Sequence, residues 1–185
     1  MGTRPYQALP FQWSNHIEAT PGQLQHDEYL CREDVDPREA FAMTLLETLG
    51  SDGTICIYSS YEVTVIRQLA EVLPHLAQRL LALEEQIWDL CGVIKKNFYH
   101  PQFHGSFSLK QVLPVLVPSM SYGALSVRDG EAASLAYVES IMTSDEQRRK
   151  ELQAGLLAYC GQDTLAMVEL RRALAERAAA TRSDR

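Results

Sequence analysis

The chain has 185 residues, and 24 acidic against 17 basic side chains give it a net charge of −7 at neutral pH. With 46% apolar and 22% charged residues it has the composition of a folded globular protein, which excludes disordered and collagen-like chains. The excess of acidic side chains argues against binding of nucleic acid through a broad basic surface. It still permits a local basic groove, or a nuclease site that is itself built from carboxylates.

No apolar run approaches the ~20 residues that a membrane span needs, and the first residues lack the apolar stretch of a signal peptide. The four cysteines lie far apart and form no Cys-x-x-Cys pair, which excludes a zinc framework and a secreted disulfide scaffold. We therefore expect a soluble cytoplasmic protein with reduced thiols and no membrane partner.

The first third of the chain is typical of a β-hairpin followed by a helix. Residues 11–17 alternate apolar with polar side chains, Pro21-Gly22 marks a turn, and residues 24–30 form a second strand. Pro37 suits the first turn of a helix, whose apolar stripe ends at Gly50.

The middle of the chain predicts a β–α–β succession. Residues 54–58 form a short buried strand, a helix begins near Tyr61, Pro74 restarts a second helical stretch, and residues 87–90 form one more strand. This order favours an α/β sheet with helices on its faces.

Beyond the predicted sheet, residues 95–108 are expected to form a loop rich in aromatic and histidine side chains. Helices are predicted over residues 109–116, 130–142 and 145–178, so the C-terminal half is mostly helical. We expect one domain over residues 1–180 and a disordered tail over residues 181–185.

Several well-known catalytic signatures are absent. The chain has no phosphate-binding P-loop, no Gly-x-Gly-x-x-Gly, no His-Glu-x-x-His and no Gly-x-Ser-x-Gly. Nucleotide-driven motors, dinucleotide oxidoreductases and zinc proteases are therefore disfavoured.

Two groups of residues are candidates for a catalytic or metal-binding site. Tyr159 and Asp163 lie one turn apart on a predicted helix, where a carboxylate suits a hard cation and a phenol suits a metal-bound water. The alternative is a core tyrosine beside a solvated surface carboxylate. Glu62 follows a buried strand, where ligands gather in α/β sheets, although an acidic residue also stabilises a helix start. Asp89, at a strand end, is a secondary candidate.

The aromatic loop suits single-stranded nucleic acid. Aromatic rings there are able to stack on bases while Lys95, Lys96 and Lys110 meet phosphates. Pro101, between His100 and His104, disfavours a continuous helix, so the spacing does not imply a helical metal pair and favours packing or hydrogen bonding for both side chains. The predicted nucleic-acid-binding residues are Tyr99, His100, Phe103, Phe107 and Lys110.

Four blocks of sequence carry a resemblance to a known family. They are Gly2-Thr3-Arg4-Pro5-Tyr6-Gln7 with Pro10-Phe11-Gln12-Trp13-Ser14; Tyr58-x-x-Tyr61-Glu62; Tyr99-His100-Pro101 with Gly105-Ser106-Phe107-Ser108-Leu109-Lys110-Gln111-Val112-Leu113-Pro114; and Tyr159-Cys160-x-x-Asp163-Thr164-Leu165-Ala166-Met167. Together they resemble the bacterial domain-of-unknown-function family 2779. That family is similar to DnaQ-like, DEDD-type 3′–5′ exonucleases of the ribonuclease H-like fold.

The resemblance implies a mixed sheet flanked by helices and metal-dependent hydrolysis of a 3′-terminal phosphodiester of DNA or RNA. In the tyrosine subclass (DEDDy), Asp163 would be a ligand of Mg²⁺ or Mn²⁺ and Tyr159 would orient the attacking water. Glu62 stands where the second motif usually places an aspartate, and would be the other metal ligand and catalytic carboxylate.

The resemblance also implies a missing part. The first motif, Asp-x-Glu on the central first strand, would precede the Gly2 block, and the chain opens with that block after Met1. We therefore expect an N-terminally truncated domain that lacks the central strand and is inactive or impaired by itself, because half a carboxylate set does not hold two ions.

Two alternatives from other functional classes stay open. A domain without catalytic activity would bind single-stranded nucleic acid through the aromatic loop, with a salt-dependent affinity. A structural oligomer would form through sheet edges left unpaired by the missing strand.

Overall fold

The structure, a computed structural model, describes residues 9–123 and 125–183. Strands β1 (Gln12–Thr20) and β2 (Gln23–Leu30) form the predicted antiparallel hairpin, with Trp13 opposite Tyr29. Gly22, in the turn, has a φ of 82°, a conformation that costs glycine little and other residues much more. The hairpin prediction is confirmed.

A helix–strand–helix–strand segment follows. It comprises α1 (Arg38–Leu49), β3 (Ile55–Ile57), α2 (Tyr61–Val72), α3 (Ala77–Ala82), a 3₁₀ turn (Leu83–Gln86) and β4 (Ile87–Asp89). Strands β3 and β4 are parallel, with Ile55 opposite Ile87 and Ile57 opposite Asp89. Parallel strands need a crossover connection, which α2 and α3 provide. The β–α–β prediction is confirmed.

The remaining elements are helical. They are α4 (Leu90–Asn97), a 3₁₀ turn (Pro101–Phe103), α5 (Leu109–Leu116), α6 (Gly130–Met142) and α7 (Glu146–Ser183). The helix α7 continues past the predicted end at residue 178, and the last two residues of the predicted tail lie outside the described part of the chain.

The start of the predicted loop is wrong, because residues 95–97 belong to α4. The Asp89 carboxylate accepts a hydrogen bond from the Gly92 backbone N–H at 3.0 Å, and so caps the helix. Leu90 and Ile94 then become buried on one face. Capping and burial together make residues 90–97 helical, and Lys95 and Lys96 lie exposed on that helix.

The α/β class is confirmed, but the described residues form two small sheets, β1–β2 and β3–β4, instead of one mixed sheet. Both pairs lie between the same helices. Trp13 and Ile55 pack on the core around Phe41 of α1 and Leu69 of α2. On the opposite side, Ser14 of β1 is hydrogen-bonded to Thr164 of α7 at 2.8 Å.

Cys56 of β3 likewise packs toward α7, against a cluster that contains Ala166 and Leu170. A third apolar cluster joins α6 to the N-terminal part of α7 through Tyr137, Leu152 and Leu156. The long helix therefore contributes to two of the three cores. Among the described residues, no helix is both long and apolar enough to cross a membrane.

We expect Leu170→Ala to lower the free energy of unfolding by about 2–5 kcal/mol, because Leu170 is fully buried and truncation leaves a cavity. The matched control is Leu135→Ala on α6, whose side chain is 67% exposed and should change stability by no more than about 0.5 kcal/mol. Urea unfolding followed by circular dichroism measures both. Equal losses would contradict the packing of α7 against the β3 side.

Candidate active site

Two phenols flank the Asp163 carboxylate at the middle of α7. The hydroxyl of Tyr122, from the segment between α5 and α6, donates a hydrogen bond to Asp163 Oδ1 at 2.7 Å. Tyr159, one turn earlier on α7, interacts with the same carboxylate, and its ring centroid is 6.4 Å from that of Tyr122. Asp163 is half-buried and has partners, unlike the solvated surface carboxylate of the alternative reading.

Burial dominates the electrostatics of this group. It raises the pKa of Asp163, although the two phenols and the nearby Lys110 ammonium act in the opposite direction. Burial and the Asp163 charge also raise the pKa values of Tyr122 and Tyr159. Both phenols are therefore protonated at neutral pH and remain hydrogen-bond donors.

Glu62 lies in the first turn of α2, directly after β3. The Ser59 hydroxyl donates a long hydrogen bond of 3.4 Å to Glu62 Oε2 and accepts one from the Tyr61 backbone N–H. Burial raises the pKa of Glu62, and the charges of Asp89 and Asp163 raise it further. The structure thus brings Glu62 within electrostatic range of both other predicted carboxylates.

The secondary candidate, Asp89, is exposed at the end of β4, where it caps α4. Because β3 and β4 are parallel, their carboxyl ends meet at one edge of the sheet. Ligands of α/β proteins gather at such an edge. Glu62, Asp89 and Asp163 share this end of the molecule because the sheet topology and α7 place them there.

Aromatic rings within the aromatic loop pack against one another and fix its conformation. Phe103 is fully buried in a cluster of rings, 5.8 Å from Phe107 between ring centroids. His100 Nδ1 accepts a hydrogen bond from the Gln102 backbone N–H, which caps the short 3₁₀ turn. Phe103 therefore offers no surface to a base in this structure, whereas Tyr99 is 63% exposed and Phe107 is half-buried.

Lys110, the remaining predicted nucleic-acid-binding residue, lies on α5 close to Asp163. Its ammonium donates a hydrogen bond to the backbone carbonyl of Arg128 and is 6.0 Å from the centroid of the Tyr122 ring. Its charge lowers the pKa of Asp163. The structure therefore associates Lys110 with the carboxylate site.

The sequence reasoning missed Tyr122 and Asp129. Tyr122 is 41 residues from Asp163, and no spacing rule connects a loop tyrosine to a helix at that distance. Asp129 accepts a hydrogen bond from the Ala132 backbone N–H at the start of α6, and its charge raises the pKa of Tyr159. A helix-capping pattern predicts the first role but gives no signal for the second.

The described residues form no group of three or more His, Cys, Asp or Glu side chains that would hold a metal ion. Mg²⁺ is commonly bound by one or two carboxylates, with waters and substrate phosphates completing the octahedron. Asp163 and Glu62 have the chemistry of that kind of weak, substrate-dependent site. They do not have the chemistry of a site with an all-protein ligand set.

We expect Asp163→Asn to be more stabilising at neutral pH than below the ordinary carboxyl pKa of 3.8. The pKa of Asp163 is higher in the folded state than in the unfolded state, so the native state loses stability as the pH rises from the unfolded-state pKa through the folded-state pKa. The amide escapes this loss and still accepts the Tyr122 hydrogen bond. The removed charge also lowers the pKa of Glu62, which adds in the same direction.

Urea unfolding as a function of pH measures this difference, with Asp27→Asn on exposed β2 as the matched control. A pH-independent difference between wild type and Asp163→Asn would contradict the raised pKa of Asp163.

The comparison with known families covers part of this candidate site. The model of the family described as Domain of unknown function (DUF2779) matches residues 1–108, which include Glu62, Asp89 and the aromatic loop. Tyr159 and Asp163 lie beyond the matched residues. No curated protein and no solved structure matches the chain significantly. Since the match covers more than half of the 185 residues, the chain belongs to the DUF2779 family.

Proposed function

We propose that this protein is a metal-dependent 3′–5′ exonuclease of the DEDDy type, acting on terminal phosphodiesters of DNA or RNA. The observation that carries the proposal is the half-buried Asp163 carboxylate between two neutral phenols, with Glu62 of α2 within electrostatic range. Phosphoryl hydrolysis uses carboxylates to hold a divalent cation and a polar group to orient water.

The residues divide into two roles. Asp163 and Glu62 would hold Mg²⁺ or Mn²⁺, which supplies a polarised phosphodiester and a more acidic water when it is bound. Tyr159, whose phenol stays protonated, would orient the attacking water through its hydroxyl. Because burial raises the pKa values of both carboxylates, protons compete with the cation more strongly than at exposed carboxylates, and cation binding strengthens as the pH rises.

The layering of the fold supports a ribonuclease H-like architecture as part of this proposal. An antiparallel hairpin and a parallel strand pair lie in one layer, with α1 and α2 on one side and α7 on the other. Strand β1 is more buried than β2, and β3 is more buried than β4, so β1 and β3 are the inner strands. A strand that joined the two pairs would complete a single mixed sheet.

We expect Asp163→Asn to reduce Mn²⁺ affinity at least about tenfold, because it removes a charged ligand. Tyr159→Phe should leave Mn²⁺ affinity unchanged but slow 3′ trimming of a single strand by about 10²-fold, because it removes only the group that orients water. Calorimetry measures Mn²⁺ binding, and a 3′-labelled oligonucleotide assay measures trimming.

Mn²⁺ binding is the primary readout, since it reports the metal-ligand role of Asp163 independently of the rate of cleavage. The control is Asp27→Asn, which removes an exposed carboxylate on the hairpin and should change neither quantity. Equal Mn²⁺ affinity in the wild type and in Asp163→Asn would refute the metal-ligand role of Asp163 and, with it, the proposed reaction.

A non-catalytic single-strand-binding module is the second candidate. It is favoured by one specific segment, where Tyr99 is 63% exposed two residues beyond the end of α4, the helix that carries the exposed Lys95 and Lys96. An exposed ring beside two cations suits a base and its flanking phosphates.

If the protein is such a module, Tyr99→Ala and Lys96→Ala should each weaken binding of a single-stranded oligonucleotide. Lys96→Ala should also reduce the slope of log affinity against log salt concentration, by the amount expected for the loss of about one phosphate contact. Fluorescence anisotropy at several salt concentrations measures both effects. Lys150→Ala on α7 is the matched charge control and should change neither. Metal-independent binding without cleavage would favour this candidate over the exonuclease.

A further inference from the structure

Two histidines, His16 and His26, lie at the interface between the hairpin and α7. His16 of β1 stands directly opposite His26 of β2 in the register of the two strands. Their imidazole rings are stacked, with 4.4 Å between the ring centroids and 19° between the ring planes. This histidine pair has no role in the proposed reaction, so its arrangement needs an explanation of its own.

Two hydroxyl groups connect the histidine pair to the long helix. The Thr164 hydroxyl of α7 is 2.8 Å from His16 Nδ1 and 2.8 Å from the Ser14 hydroxyl. The Ser14 hydroxyl is in turn 2.9 Å from His26 Nε2. A hydroxyl both donates and accepts, and an imidazole nitrogen does one or the other, so this chain of hydrogen bonds is satisfied with neutral rings. It holds both rings of the hairpin against α7.

Charge repulsion limits the number of protons that the histidine pair carries. Unit charges on two rings 4.4 Å apart repel each other, and the repulsion grows where the rings are shielded from water. Burial lowers the pKa of His16, and the charge of His26 lowers it further. The stack is compatible with two neutral rings or with one charged ring, whereas two imidazolium rings facing each other oppose it.

The groups around the pair favour one proton over two. On β2, the Glu28 carboxylate is 3.8 Å from His26 Nε2, so a first proton is best held on that ring. On α7, the Thr164 hydroxyl carries no charge, and Cys160 keeps its proton because burial raises its pKa to about 12. The Asp163 carboxylate, next to Thr164 in the sequence, is hydrogen-bonded to the phenol of a different segment. A second proton therefore finds no carboxylate of its own.

The remaining charges of this interface lie at the outer end of the hairpin. Glu18, two residues beyond the first histidine, pairs with Arg171 and Arg172 of α7. The hydrogen bond from Arg172 holds the pKa of Glu18 below its usual value, so these ion pairs persist in acid. At the inner end, Trp13 is buried in the core. Loss of the histidine contact would therefore affect the middle of the interface, with the hairpin still attached at both ends.

We propose that the stacked His16–His26 pair is an acid-sensitive contact between the hairpin and α7, which is intact with at most one proton on the two rings and breaks when both are protonated. A second proton places like charges face to face, and the rings separate with loss of the hydrogen bonds to Thr164. This inference goes beyond the proposed function and does not depend on it, because neither histidine belongs to the carboxylate site.

The test is NMR of the imidazole C–H groups of the full chain, titrated from about pH 8 to about pH 4. Nuclear Overhauser effects between the His16 ring and the Thr164 methyl group should disappear in the wild type as the second ring is protonated. In His26→Gln the same effects should persist, because glutamine removes the facing charge and keeps an amide that hydrogen-bonds to Ser14. The midpoint of the His16 titration should also move to higher pH in that variant.

Urea unfolding supplies a second readout. The pKa of His16 is lower in the folded state than its ordinary value of 6.5, so the native state loses stability as the pH falls from 6.5 through the folded-state pKa. His16→Gln removes this loss. Its urea midpoint relative to that of the wild type should therefore be higher at about pH 5 than at about pH 8.

The matched control is His75→Gln, which removes an exposed histidine paired with Glu39 at a distance from α7. It should change neither the His16 titration nor the contact with Thr164. Circular dichroism at each pH checks that every variant is folded. Effects that persist in the wild type after both rings are protonated, or a His16 midpoint that is unchanged in His26→Gln, would overturn the proposal. The wild-type measurement needs no variant, so it decides the question even where a substitution prevents folding.

Discussion

The contacts of the long helix α7 with both strand pairs are the interaction on which the rest of the structure depends. Thr164 is hydrogen-bonded to Ser14 and His16 of β1, each at 2.8 Å. Ala166 and Leu170 pack instead toward the β3 side. Among the described residues, no backbone hydrogen bond joins the two sheets, so the packing of side chains against α7 on one face and against α1 and α2 on the other holds them together.

The helical repeat explains why Asp163 lies at the intersection of these contacts. Residues three or four apart share a face of a helix, so Tyr159, Asp163, Ala166 and Leu170 follow one side. Thr164 lies next to that side and meets the hairpin. Burying a carboxylate here raises its pKa and costs stability, which is the trade-off expected where a charged group is kept for function.

Local features of the fold were predictable, whereas long-range features were not. Gly22 and Gly50 mark a turn and a helix end, where both adopt a positive φ, and the bounds of α5 and α6 match the predicted residues 109–116 and 130–142. Helix α4 was missed because its stability depends on capping by Asp89 and on burial. The Tyr159–Asp163 face was predictable from spacing, but the contact of Asp163 with Tyr122 depends on a loop packing against α7.

The ion pairs at the far end of the hairpin show how this arrangement is maintained. Arg171 and Arg172 of α7 both pair with Glu18 of β1, and the Arg171 charge also opposes the rise in the pKa of Cys56 on β3 to about 11 that burial causes. Arg171 is thus close to both β1 and β3. Helix α7 touches both strand pairs through hydrogen bonds, ion pairs and apolar contacts, and these contacts fix the position of Asp163. The geometry of the carboxylate site therefore depends on a hairpin that contributes no candidate ligand to it.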